Sequence, residues 1–136
     1  MITSRDISRI SQLYKMAESV EKVGAGRLAS SIWYKGDLLS IGVNSMKSHP
    51  LQARFSVIPE KIYLHAETAA ISRAIKDFRS IEGADLYVAR VKSSGKGWLP
   101  GNAKSCAGCI SCAEHFGIRN VFYSKDDGSI DVINLR

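Results

Sequence analysis

Cysteine is scarce in this sequence: three among 136 residues, all crowded into KSCAGCISC, residues 104–112. An odd number at three-residue spacing makes a poor disulfide framework. In a reducing compartment such a cluster points instead to metal or redox chemistry. Long apolar runs are missing as well. No stretch approaches the roughly 18 uninterrupted apolar residues of a membrane span, and the first ten residues, MITSRDISRI, carry charge where a secretion signal needs an apolar run. The expectation is therefore a cytoplasmic protein with no membrane partner. Acidic residues are in deficit, 13 Asp and Glu against 19 Lys and Arg, and the resulting +6 favours an anionic partner, nucleotide or nucleic acid. Repeats and low-complexity segments are absent too.

What is present describes an ordinary globular chain. At 45% apolar and 24% charged, 136 residues suffice for one domain, residues 1–136, with a core that needs no staples. Residues 5–22 place Ile7, Ile10, Leu13, Tyr14, Ala17 and Val20 at helical spacing. LASSIWYKGDLLSIGVN, 28–44, reads as two strands around Lys35-Gly36-Asp37. Residues 45–62, punctuated by Pro50 and Pro59, read as irregular. HAETAAISRAIKDF, 65–78, is helical, and ADLYVARVK, 84–92, is apolar on both faces like a central strand. A Gly-rich stretch, 93–103, leads to a short helix, then to strands over 119–124 and 129–135 around the turn KDDG. The order αββαβαββ predicts an α/β fold, a mixed five-stranded sheet with helices packed on it.

Helix geometry sorts the cysteines. Ser105 is a good cap residue and Gly117 a good stop, so the helix runs from about Cys106 to Phe116. Cys106 and Cys109 then share its first turn, where free backbone N–H groups and the positive dipole end favour thiolates. Cys112 lies about 9 Å further along the axis than Cys106, at 1.5 Å per residue. The first two make the better pair for one zinc, since each sulfur must reach within about 2.3 Å of it. Cys112 reads as a small apolar group on the buried face, the alternative being a fourth ligand that closes a structural site. Of the three histidines, His115 is at the far end of that helix, and His49 lies in a polar loop, on the surface or beside a substrate. His65 begins a helix, two residues before Glu67. A histidine there is unremarkable alone, and gains meaning from Glu67 and the downstream CxxC.

HAE, 65–67, followed by SCAGC, 105–109, resembles the zinc-binding signature of the cytidine and deoxycytidylate deaminase superfamily, H-x-E followed by P-C-x-x-C. SIGVNS, LYVAR and FGIRNVFY are similar to segments in matching places, so the likeness covers most of 28–124 and is nearest to small bacterial and phage enzymes. The resemblance implies that His65, Cys106 and Cys109 hold Zn2+ with the fourth position open to water. It implies that Glu67, not a ligand, takes a proton from water and passes it to the ring as C4 is attacked and ammonia leaves. By position, Asn44 corresponds to a sugar contact, the backbone of Ala66 to a base contact, and the carbonyl of Ser105 faces the leaving amine.

Departures from the pattern also bear on the reading. Ser105 stands where the signature has proline. VKSSGKGWLPGNAK, 91–104, is longer than the usual connection and reads as a lid, in which Trp98 either stacks on the substrate or packs the loop down. Ala69 stands where free-nucleotide enzymes of the family commonly have Asn, and the KDDG hairpin is similar to nucleoside deaminases, whose first ligand is usually Cys rather than His. Lys47, His49 and Arg54, with Lys96 and Lys104, are candidates for binding a phosphate; the bland alternative is a solvated basic surface. Trp33, Tyr34, Phe55, Tyr63 and Trp98 are the aromatics a single-stranded nucleic acid would need. The favoured expectation is a zinc-dependent deaminase of a free pyrimidine nucleotide, dCMP to dUMP. Cytidine or deoxycytidine comes next, then single-stranded DNA or RNA, then a non-catalytic zinc protein, with a homo-oligomer expected by resemblance.

Overall fold

A computed structural model describes residues 2–20, 26–47, 49–55, 63–95 and 97–136. Helix α1, Ser4–Glu18, starts at a reciprocal cap: Thr3 accepts from the Asp6 amide while the Asp6 carboxylate accepts from the Thr3 amide. Its stripe of Ile10, Leu13 and Ala17 is buried. The helix ends at Glu18 with Ser19 as its C-cap, short of the residue 22 expected from periodicity; residues 21 and 22 lie outside the described residues. Strands β1, Arg27–Tyr34, and β2, Asp37–Val43, form the expected hairpin around Lys35 and Gly36.

Three elements differ from expectation. Residues 50–55 of the stretch read as irregular form a short helix, α2 (Pro50–Phe55), with proline at its first position, where the missing N–H costs nothing; residues 56–62 lie outside the described residues. The supposed lid is a hairpin arm: β3, Asp85–Ser94, turns at Gly95 and returns as β4, Gly97–Gly101, with Trp98 opposite Ser93. The sheet therefore has six strands rather than five. The third difference is a helix cap. Helix α4, Ala107–His115, is capped by the backbone of Cys106, and the Ser105 hydroxyl serves another purpose.

Helix α3, Ala66–Asp77, and the strands β5, Asn120–Ser124, and β6, Ile130–Asn134, fall where the periodicity places them. The sheet order is β2-β1-β3-β5-β6. β3 and β5 are parallel, the other pairs are antiparallel, and β4 pairs with the far half of β3. Alternation along β3 divides the core into two. Leu86 and Val88 join the side chains of α3 and α4 on one face, and Tyr87, Ala89 and Val91 join those of α1 on the other. Cys112, fully buried in the α3/α4 half, packs as expected, and burial pushes its thiol up to about 12.

Gly42 fixes how closely α3 lies on the sheet. A β-carbon there would press into the amide nitrogen of Ala70 and stand 2.5 Å from the Ala66 carbonyl oxygen, both helix backbone that cannot swing aside. Gly42→Ala is expected to cost about 3 kcal/mol by overpacking, roughly 10 °C of thermal midpoint for a chain of this size. Calorimetry checks this; a midpoint within about 2 °C of the parent would show that α3 is not seated on β2 as described.

Candidate active site

The N-termini of α3 and α4 converge, and each supplies part of one constellation. His65 caps α3 and Cys106 caps α4, with Cys109 one turn further in. The His65 Nδ1 lies 3.2 Å from the Cys109 Sγ and 3.6 Å from the Cys106 Sγ, and all three ligand atoms fall within 4.8 Å of one another. A tetrahedral zinc with bonds of about 2.0–2.3 Å requires N···S near 3.5 Å and S···S near 3.8 Å. The three residues thus fit a zinc ion, one imidazole and two sulfurs, with the carboxylate of Glu67 outside the set.

The electrostatics suit a cation. Hydrogen bonds from Cys109 and His65 hold the Cys106 thiol far below its ordinary range, at about 3. Its bond to Cys106, together with burial, pushes the Cys109 thiol up. A bound metal cation would favour the thiolate form of both sulfurs.

Glu67, the second residue of α3, is 4% exposed. Its Oε2 accepts a 2.8 Å hydrogen bond from the hydroxyl of Ser105. Burial raises its proton affinity, opposed by its own backbone N–H, by His65 and by the Ser105 bond. The residue that replaces the signature proline therefore fixes one carboxylate oxygen, a role no proline could fill.

Sequence reasoning missed Gln52. Wholly buried on α2, it accepts the His65 amide N–H at 3.1 Å and also contacts the Thr68 hydroxyl, whose other neighbour is the His65 carbonyl at 3.1 Å. Pro50 at a helix start was the available signal, and it was outweighed by the surrounding irregular composition.

The candidate substrate contacts divide. Asn44 is buried beside β1, with Oδ1 accepting from the Leu28 amide and Nδ2 donating to the Gly26 carbonyl, both at 2.9 Å. Among the described residues one Nδ2 hydrogen remains for another acceptor. The Ala66 carbonyl accepts from the Ser30 hydroxyl at 2.6 Å. Lys47 is exposed, and its carbonyl accepts from the Leu64 amide immediately before His65; Lys104 is exposed immediately before Ser105. His49 is engaged elsewhere, Nδ1 accepting from the Leu51 amide and Nε2 facing the Ser72 hydroxyl. Arg54 lies 3.4 Å from His115, at the end of α4 remote from Cys106. Trp98 lies on β4 with the Arg27 guanidinium 5.0 Å above its ring. Lys96 lies outside the described residues.

This geometry agrees with comparisons of the whole chain. A model of the cytidine and deoxycytidylate deaminase zinc-binding region matches residues 3–125. The chain belongs to this deaminase family. Zinc is the metal of the family, and His65, Cys106 and Cys109 are positioned to hold it. The dCMP deaminase of cyanophage S-TIM5 in apo form superposes with a TM-score of 0.66 at 17% identity, covering 92% of this chain and 86% of that one. The same enzyme in complex with dCMP and dUMP gives 0.65 at 16%, covering 92% and 84%. A Thermotoga maritima diaminohydroxyphosphoribosylaminopyrimidine deaminase/5-amino-6-(5-phosphoribosylamino)uracil reductase gives 0.58 at 18%, with 89% of this chain matching 30% of that one. At such identities these likenesses establish the fold, the α/β arrangement of the family. A comparison with curated proteins finds no match.

Proposed function

We propose that this deaminase hydrolyses the exocyclic amine of cytosine in a free nucleotide, dCMP to dUMP. The observation that carries the chemistry is a buried carboxylate, Glu67, beside a three-ligand set of which it is not a member. Zinc held by His65, Cys106 and Cys109 would supply a Lewis-acidic centre that activates water toward the ring carbon bearing the amine. Glu67 takes a proton from that water and delivers it to the pyrimidine. A water adds, ammonia departs and uracil remains. The Ser105 hydroxyl holds Oε2, which leaves Oε1 as the proton-carrying oxygen. The remaining Asn44 hydrogen is assigned to the sugar, and the Ala66 backbone and Ser105 carbonyl to the base.

The choice of a nucleotide rests on position. Lys47 and Lys104 are exposed and flank the segments that carry His65 and Cys106, which makes their ammonium groups the candidates to meet a 5′-phosphate. His49 and Arg54 take a smaller part, because their polar atoms face Leu51, Ser72 and His115. The dCMP and dUMP complex of the phage enzyme supports the same substrate. Among the described residues no helix is long and apolar enough to cross a membrane; cytoplasmic location and homo-oligomeric assembly are part of the proposal.

A chromatographic product assay of the zinc-loaded protein tests it, with dCMP, CMP, deoxycytidine, cytidine and a cytosine-containing single-stranded oligonucleotide side by side. The expected result is dCMP turnover with kcat/KM at least tenfold above deoxycytidine. Turnover of nucleosides alone, or of the oligonucleotide alone, replaces the substrate while keeping the chemistry. Silence across the panel overturns the reading.

A further inference from the structure

The excess of basic residues finds a place away from the zinc ligands. A cavity of about 530 Å³ opens between the start of α1, the β1–β2 turn, the segment before β3 and the C-terminus. Five cationic side chains line it, Arg5, Arg9, Lys35, Arg119 and Arg136, against two side-chain carboxylates, Glu82 and Asp85, an excess of three positive side-chain charges. Both carboxylates are already satisfied. Asp85 accepts from Arg119 at 3.1 Å and from Asn120 at 3.0 Å, and Glu82 accepts from Arg136 at 2.5 Å. A guanidinium has five N–H donors, so neither ion pair exhausts its arginine. Arg5 and Lys35 are exposed and belong to no ion pair among the described residues.

Arg9 is the unusual member. Only 7% exposed, it forms no ion pair among the described residues. Its guanidinium stacks 4.0 Å from the Trp33 ring centroid and donates at 3.1 Å to the Tyr87 hydroxyl, which donates at 2.5 Å to Asp6. Burial raises the Asp6 pKa, but bonds from Tyr87 and Thr3 outweigh it and leave the carboxyl below its usual range. A buried network thus fixes this cation from behind. The Asp6 carboxylate balances this cation only at one remove, through the Tyr87 hydroxyl, so an anion in the cavity would give Arg9 a direct partner.

The geometry points to this cavity as a binding site for a small polyphosphate anion. A single phosphate would fill little of about 530 Å³, whereas a chain of phosphates reaches cations contributed by four separate segments. Lys35 is presented by a tight turn: with φ of 49° and Gly36 at 86°, it opens a two-residue turn between Tyr34 and Asp37. A single-stranded nucleic acid is disfavoured, since it needs successive exposed aromatic faces, and here Trp33 lies under Arg9. The site is separate from the zinc ligands. Trp33 is three residues beyond Ser30, the residue bonded to Ala66, or about 10 Å at strand rise. In addition, α1 packs on the opposite sheet face from α3 and α4.

Titration calorimetry of the zinc-loaded protein with sodium tripolyphosphate tests the site. The expected result is saturable one-to-one binding, weakened at least tenfold in the double variant Arg5→Ala, Lys35→Ala, with zinc content unchanged. A control, Lys76→Ala with Lys125→Ala, removes the same charge elsewhere and is expected to bind as the parent does. No saturable binding, equal weakening in the control, or binding of an oligonucleotide but not of tripolyphosphate would each overturn the inference. Since the readout is binding, failure of the deaminase assay leaves this test intact.

Discussion

Glu67→Gln is expected to keep one zinc per chain and lose turnover by about 10³-fold or more, near the upper part of the range for removing a positioned general acid–base group. Glutamine preserves the shape beside the ligands and can still accept from Ser105, but it cannot carry a proton from water to the ring. Zinc content by mass spectrometry of the native protein and steady-state rates on dCMP give the two readouts. Retained deamination would remove Glu67 from the mechanism, whereas loss of zinc would make it a ligand. Ser105 belongs to the same prediction. Ser105→Ala and Ser105→Pro both delete the hydroxyl that fixes Oε2 and are expected to lower kcat about tenfold with KM little changed, a charged hydrogen bond contributing about 1.5–3 kcal/mol. Ser105→Thr restores the hydroxyl and is expected to restore the rate. Proline, although it re-creates the family signature, should behave as alanine does, because Glu67 here relies on an O–H donor.

The placement of His65, Glu67, Cys106 and Cys109 was legible for a physical reason. The charge-bearing groups of the site sit at helix starts, and helix starts leave local marks: a periodic apolar stripe beginning after His65, and Gly117 closing the helix that Cys106 opens. Helical spacing alone also separated Cys112 from the other two sulfurs, and its burial agrees. What escaped depends on contacts distant in sequence. Ser105 looked like a cap because capping is local, while the carboxylate it reaches is 38 residues away. Gln52 sits on a six-residue helix, too short for periodicity to show. Strand β4 was hidden by glycine and by Pro100, which a sheet tolerates only at an edge, and among the described residues β4 pairs on one side alone, with β3. The Arg9–Tyr87–Asp6 network spans 81 residues, and nothing in the α1 periodicity says that an arginine on its buried side has a partner.

Cys109→Ser is expected to take zinc from about one equivalent to near zero and to lower the thermal midpoint by more than 10 °C. Bound metal stabilises only the folded chain, by about 4 kcal/mol when free zinc is a thousandfold above its dissociation constant, and each kcal/mol is worth roughly 3–4 °C at this size. The ligands bridge α3 and α4, so the loss also uncouples the two helices whose starts form the site. Cys112→Ser separates this reading from a closed structural centre. Fully buried among Ala113, Ile118 and Val121, Cys112 would leave a serine hydroxyl in apolar surroundings, costing about 1–3 kcal/mol, while zinc stays at one equivalent. If Cys112→Ser instead releases zinc, the third sulfur is a ligand and the fourth position is not open. The site would then be structural, and Glu67 a buried carboxylate with no proton to move. If zinc stays in Cys112→Ser and leaves in Cys109→Ser, the metal is held by three groups and one coordination position remains for water, as hydrolysis at cytosine requires.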